Sequence, residues 1–126
     1  MHPDDTCPCG SRQPYAACCA RWHGGEPAPD AAALMRSRYS AYVLRRHDHL
    51  LATWHPRTRP ASIAPHDPAL QWLGLELRRH VRSDADHASV EFVARCRLHG
   101  RATRMHETSR FVRDDGRWYY VDGDLR

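Results

Sequence analysis

Apolar positions change their period twice along this chain. From residue 31 to 46, Met35, Tyr39, Tyr42 and Val43 recur at steps of three and four with Arg36 and Ser40 elsewhere on the surface, which predicts an amphipathic helix capped by Asp30. Asp48 opens a shorter helix through Leu50, Leu51 and Trp54. Pro56 has no N–H to donate and disfavours helix at His55, so TWHPRTRPASIAPHDP (53–68) reads as a turn and a long loop. Beyond it the period becomes two. Leu73, Leu75 and Leu77 alternate with Trp72 and Glu76, and Val90, Phe92, Ala94, Cys96 and Leu98 alternate with Glu91 and Arg95. A third strand is predicted over 104–113, and Asp115-Gly116 is a hairpin turn into a fourth over 118–121. His99-Gly100 and the stretch 83–87 supply the other turns. Short connections make consecutive strands antiparallel, so the expected fold is α+β, a four-stranded meander with helices over one face.

A length of 126 residues suits one compact domain with a small appendage. GGEPAPD (24–30) has the Pro and Gly content of a linker, dividing the chain into a lobe and linker over 1–28 and a main domain over 29–126. Residues 1–28 carry two arginines against three acids, whereas 29–126 carry seventeen against twelve, so the main domain is mildly basic. Every basic residue is Arg and none is Lys, but the arginines spread along the chain instead of forming a stripe. Nucleic-acid binding is therefore the weakest of the functional readings. With no basic leader and no apolar run of about eighteen residues, a soluble cytoplasmic protein with no membrane partner is expected.

In a reducing compartment clustered cysteines serve metal binding or redox chemistry more often than structural disulfides. CPCGSRQPYAACC places Cys7 and Cys9 as one close pair and Cys18 and Cys19 as another. Structural zinc takes four tetrahedral ligands, commonly as two such pairs separated by a loop. Gly10 permits a tight turn after the first pair, and Ser11 caps a short helix entered by Pro14 that carries the second. Neighbouring helical positions are about 100° apart, so Cys18 and Cys19 reach one metal only near their shared edge, and His23 stands as a substitute ligand. A redox cluster and unrelated free thiols are the other readings, and spacing favours zinc.

CPCGS, eight residues from Cys9 to Cys18, then Cys19, resembles the SEC-C zinc-binding motif, best known at the tail of the bacterial preprotein translocation ATPase. The resemblance implies Cys7, Cys9, Cys18 and Cys19 as zinc ligands. Many such motifs continue Gly-Ser-Gly with lysines, whereas Arg12, Gln13 and Pro14 follow Ser11 here. The order of helices and sheet is similar to the nuclear transport factor 2-like cone, a fold that often encloses a pocket between helix and sheet. MRSRYSAYV, TWHP, WLGLEL, VEFVAR, HETSRFVR and GRWYYVDG, in this order behind the motif, resemble the YchJ family of uncharacterised bacterial proteins. That resemblance implies the two-part architecture and no established activity. Many members have a second SEC-C motif at the C-terminus, where this chain reads GDLR.

On the cone expectation, the candidate pocket comprises Tyr39, Trp54, His55, Trp72, Glu107, Arg110 and Tyr120. His106 and Glu107 are strand neighbours on opposite faces and not a dyad. Glu107 is expected either in a buried ion pair with an arginine or as a general acid or base. Arg36 and Arg38 read as solvated helix charges and Cys96 as a small hydrophobe. No catalytic constellation emerges. The leading functional expectation is a zinc-bearing module for a protein partner, associated with the ribosome or translocation. A small-molecule ligand or reaction in the cone pocket is the alternative.

Overall fold

Helix α2, Ala31–Leu44, is the element against which the others pack. The Asp30 carboxylate accepts from the Ala33 N–H at 2.8 Å and supplies the N-cap. At the other end Arg45 turns into the left-handed region (φ 58°), and the Arg46 N–H closes back on the Ala41 carbonyl at 2.8 Å. This is a Schellman stop, and it ends the helix two residues earlier than the apolar period predicts. The computed structural model describes residues 2–64 and 67–126; Pro65 and His66 of the expected loop lie outside the described residues.

The sheet is the expected antiparallel meander, ordered β1 (Gln71–Arg82), β2 (His87–Leu98), β3 (Arg101–Asp114) and β4 (Arg117–Leu125). Its two tight turns have positive φ at both central residues, His99 (50°) with Gly100 (80°) and Asp115 (51°) with Gly116 (78°). That conformation matches the right-handed twist of the flanking strands. The wider turn between β1 and β2 is held by Asp84, whose carboxylate accepts from the Asp86 N–H (2.8 Å) and contacts His87 Nδ1 (2.9 Å).

One face of the sheet meets α2 through Val90, Phe92, Ala94, Phe111 and Trp118, with Leu34, Met35 and Tyr39 opposite. A bulge in β1 between Trp72 and Gly74 reverses the expected parity of this strand. Alternation places Leu73 on the face of Leu75 and Leu77; instead it is 47% exposed, and Trp72 packs on the core with them. The extra residue leaves two positions opposite one, which no alternation pattern contains.

α2 itself is less amphipathic than expected. Ser37 and Ser40 are fully buried, because the short helix α3 (His47–Ala52) and the cysteine lobe cover the sides that the sheet does not, and Arg38, 3% exposed, reaches the end of α3 from the sheet side. The start of the long loop is stitched to β4: the His55 N–H donates to the Tyr120 carbonyl and the Tyr120 N–H to the Thr53 carbonyl, both at 2.8 Å. Thr58 Oγ1 donates to the Val121 carbonyl at 2.7 Å.

Replacing Phe111 with Ala is expected to destabilise the protein by about 3–5 kcal/mol. Leu73→Ala should change stability by less than about 0.5 kcal/mol if the bulge sets the parity of β1. Urea unfolding midpoints of the two variants measure both effects.

Candidate metal centre

Cys7 and Cys9 lie on a loop closed by local backbone bonds. The Cys7 N–H donates to the Gln13 carbonyl and the Tyr15 N–H to the Asp5 carbonyl, both at 2.8 Å, so the two arms of the loop run antiparallel. Gly10 turns this loop with φ 84°, and a Cβ there would lie 3.2 Å from the Leu75 carbonyl oxygen of β1. Glycine therefore serves twice, for the turn and for close approach to the sheet. Arg36 fixes the loop from the other side, donating through Nη1 to the Cys9 carbonyl at 2.7 Å.

The second pair is arranged differently from the expected helix. A 3-10 turn over Tyr15–Ala17 gives way to α1, Cys19–His23, with a break at Cys18 (φ −123°, ψ −114°). The break removes the geometric difficulty of adjacent cysteines on one helix and brings the Cys18 and Cys19 sulfurs to 4.0 Å. Ser11 does not cap a helix. Its hydroxyl lies 3.1 Å from Cys18 Sγ and accepts from the Gln13 N–H.

All four sulfurs lie within 4.8 Å of one another, and Cys7, Cys9 and Cys19 are buried. Tetrahedral thiolates at about 2.3 Å from a metal are about 3.8 Å apart. The Cys9–Cys18 and Cys18–Cys19 separations of 3.6 and 4.0 Å bracket that value, so the donor set fits a tetrahedral cation. All four cysteines are free thiols. Hydrogen bonds from the thiols of Cys19 and Cys7 hold Cys9 far below the ordinary thiol range, while the bonds to Cys7 and Cys9 push Cys19 far above it. A bound cation replaces such shared protons and makes every sulfur a thiolate.

His23, the substitute ligand that the spacing allows, is not in this group. Its Nε2 is 2.9 Å from the Ser37 carbonyl oxygen, which can only accept, so Nε2 carries the proton and Nδ1 accepts from the Tyr15 hydroxyl at 2.6 Å. The Ser37 hydroxyl donates to the Leu34 carbonyl (2.7 Å) and accordingly accepts from His49 Nε2 (2.9 Å). The two imidazoles meet at a tilt of 58° with centroids 4.6 Å apart. Burial lowers the pKa of both, and that of His49 falls to about 3 under burial together with the neighbouring His23 and Arg38. The lobe is thereby joined to α2 and α3 by neutral hydrogen-bonded rings.

A separate cavity of about 340 Å³ lies between α2 and the sheet. Of the pocket residues expected from sequence, Tyr39, Trp72, Glu107 and Tyr120 line it. Three do not. Trp54 packs edge-on behind Tyr120 at 5.1 Å, with its indole N–H buried and unpartnered among the described residues. His55 is carried past β4 by the bonds to Tyr120 and contacts Asp114 at 3.3 Å. Arg110 alternates to the other face of β3 from Glu107 and Ser109, where Asp122 and Asp124 each accept from it at 2.6 Å. Glu107 accepts from Ser109 Oγ at 3.1 Å, and among the described residues no arginine pairs with it, contrary to the expected ion pair. Gly123 makes room for it, since a Cβ there would lie 3.0 Å from Glu107 Cδ. His106 contacts Glu91 at 2.6 Å, and Cys96 stands outside the sulfur cluster.

Arg38 departs from the solvated helix charge that the sequence suggests. It is 3% exposed and lines the cavity, so it is not a solvated charge. The available signal was its place in the stripe Met35, Arg38, Tyr39, Tyr42, at the spacing of a buried helix face.

Residues 30–123 match the family described as YchJ, middle NTF2-like domain, and residues 5–21 match the SEC-C motif. The chain belongs to the YchJ family. A UPF0225 protein of Methylibium petroleiphilum is 61% identical over 125 residues, covering 98% of this chain and 91% of that protein. A UPF0225 protein of Bordetella bronchiseptica is 55% identical over 130 residues, covering 99% and 98%. The solution structure of a SEC-C motif-containing protein from Rhodopseudomonas palustris aligns with a TM-score of 0.84 at 31% identity, covering 97% of this chain and 99% of its own. A crystal structure of a SEC-C motif-containing protein from Psychrobacter arcticus gives 0.81 at 27% identity, covering 98% and 84%. This YchJ chain thus carries a SEC-C lobe with a metal-binding donor set on an NTF2-like α+β domain.

Stability depends on pH through the histidine junction. Folded His49 stays neutral down to about pH 3, whereas an unfolded histidine protonates near about pH 6.5. Its contribution is therefore complete above the unfolded pKa and is lost as pH falls toward the folded one. His49→Gln should flatten the decline in unfolding free energy between about pH 6.5 and 5, by up to about 1.4 kcal/mol per pH unit, in urea titrations at each pH.

Proposed function

We propose that Cys7, Cys9, Cys18 and Cys19 hold one zinc ion in a closed structural site, and that the lobe so formed makes this YchJ chain an interaction module for a protein partner in the cytoplasm. The observation that carries the zinc reading is the sulfur geometry, four thiols within 4.8 Å with two edges of 3.6 and 4.0 Å. An all-thiolate tetrahedral site favours zinc among common divalent ions. Four protein ligands leave no open position, so such a zinc does not activate water, and its role is to give shape. A segment this short gains its order from the metal, because thiolate ligation supplies about 10–16 kcal/mol.

Several features support docking as the use of that shape. The lobe is held firmly from behind by Arg36, His23 and Gly10. Its front, including Arg12, Gln13, Ala16 and Ala17, is exposed. Association with the ribosome or the translocation machinery, which the SEC-C resemblance suggests, is the class of partner to try first. Free thiols in close contact suit a reducing compartment, and among the described residues no helix is long and apolar enough to cross a membrane.

Native mass spectrometry of protein purified without added metal should record one zinc per chain, and Cys18→Ser should lose most of it. A zinc-free chain with intact thiols and an ordered N-terminus would overturn the reading. Stripping the metal with a strong chelator should raise amide exchange over residues 2–23 and around Ser37, where His23 is anchored, while the sheet stays protected. For the docking role, a photo-cross-linker placed at Gln13 should capture a discrete ribosomal or translocation component with the wild-type lobe and not with Cys18→Ser. Equal capture by both would remove the metal lobe from the interaction.

A further inference from the structure

Arg38 presents an imbalance that the fold alone does not resolve. Its guanidinium is buried, its Nη1 donates to the Leu50 carbonyl at 2.8 Å and to Thr53 Oγ1 at 2.7 Å, and it lies 4.6 Å from the Tyr120 ring and 5.0 Å from that of Trp54. Among the described residues no carboxylate comes within 4.0 Å of it. A buried charge without a counter-ion is costly to keep in a fold. Burial accordingly draws the guanidinium down to about 10.

A second charge stands on the same cavity. Glu107, on β3, lines it together with Arg38, on α2, yet the two side chains do not form an ion pair. Between them the walls are largely apolar and aromatic. Tyr39 meets Trp72 edge-on at 5.5 Å, and Tyr42 lies 6.1 Å from the same indole. A cavity of about 340 Å³ is within the range of small-ligand sites, which take most of their affinity from apolar walls and their orientation from a few polar groups.

We infer that this cavity binds a small zwitterion with an apolar body, an amino acid of aromatic or branched side chain, with its carboxylate on Arg38 and its ammonium on Glu107. A plain carboxylate would face the like charge of Glu107, and a plain amine that of Arg38, so each half-ligand is disfavoured by one wall. Only a molecule bearing both signs completes both groups while its apolar body covers the aromatic wall. The site is independent of the metal lobe. Met35, Arg38, Tyr39 and Tyr42 occupy one side of α2, whereas Arg36, Ser37 and Ser40, which hold the lobe and its neighbours, lie on the opposite side at about 100° per residue.

The test uses the full metal-loaded chain, titrated by calorimetry and by amide chemical shifts with L-leucine, L-phenylalanine and L-tryptophan. Each is titrated beside its own two half-ligands, the acid without the ammonium and the amine without the carboxylate, which for phenylalanine are 3-phenylpropanoate and 2-phenylethylamine. At least one amino acid should bind with Kd at or below about 1 mM, shifting amides of α2 and β3. For phenylalanine or the tighter-binding amino acid, removal of either charge should weaken binding at least about tenfold, about 1.4 kcal/mol. Glu107→Gln, which keeps the size of the side chain, should abolish the preference for the amino acid over the matching acid. Arg38→Gln should abolish the preference over the amine. If that variant fails to fold, Glu107→Gln alone decides. Absence of saturable binding by all three amino acids overturns the inference, as does an acid or amine binding as tightly as its amino acid. Neither result touches the zinc reading, whose readout is metal content.

Discussion

The imidazole of His23, donating to the Ser37 carbonyl at 2.9 Å, joins the cysteine lobe to the helix on which the whole main domain is packed. The acceptor settles the tautomer, and the tautomer lets the other ring nitrogen take the Tyr15 hydroxyl of the lobe at 2.6 Å. One ring thus satisfies a backbone oxygen of α2 and a side chain of the cysteine-bearing loop at once. Because the junction is buried, its polar atoms must be paired with protein atoms, and a misplaced His23 would leave several unsatisfied. The serines of α2 follow from this. Ser37 and Ser40 are small enough to let α1 and α3 approach and polar enough to bond to the rings that arrive.

α2 therefore divides the molecule chemically. One side contacts the lobe, where thiols and neutral imidazoles meet and a metal finds a matching donor set. The opposite side faces the sheet, where aromatic rings line a cavity with one guanidinium and one carboxylate. Arg36 and Arg38, two positions apart, point to these different sides, one bonded to the Cys9 carbonyl and the other to the end of α3. Residues two apart on a helix do not share a face. The same geometry separates the cysteine cluster from the aromatic cavity within a single helix diameter.

How much of this was legible from the chain depends on the range of the interaction. Asp30 as a cap, His99-Gly100 and Asp115-Gly116 as hairpin turns, and the pairing of Cys7-Cys9 with Cys18-Cys19 all involve contacts within a few residues or a fixed spacing, and sequence carries that information directly. Leu73 was misplaced because a bulge is chosen by cross-strand pairing with β2, which alternation along β1 does not record. His55 and Arg110 were placed near a pocket by their neighbours in the chain, yet backbone bonds to β4 and strand alternation carry each of them away. The break at Cys18, which brings adjacent sulfurs together, was likewise hidden, since nothing local marks that residue as non-helical.

The amino-acid sequence by itself determined the family, the helices-then-meander order and the set of four thiols, because periodicity, turn chemistry and ligand spacing are properties of short stretches. Tertiary structure alone decided which polar groups are buried. Ser37, Ser40, His49 and Arg38 lose water only when the lobe, α3 and the sheet close around α2 from three directions. Burial is a sum over partners distant in the chain, and no residue's own neighbours in sequence contain that sum.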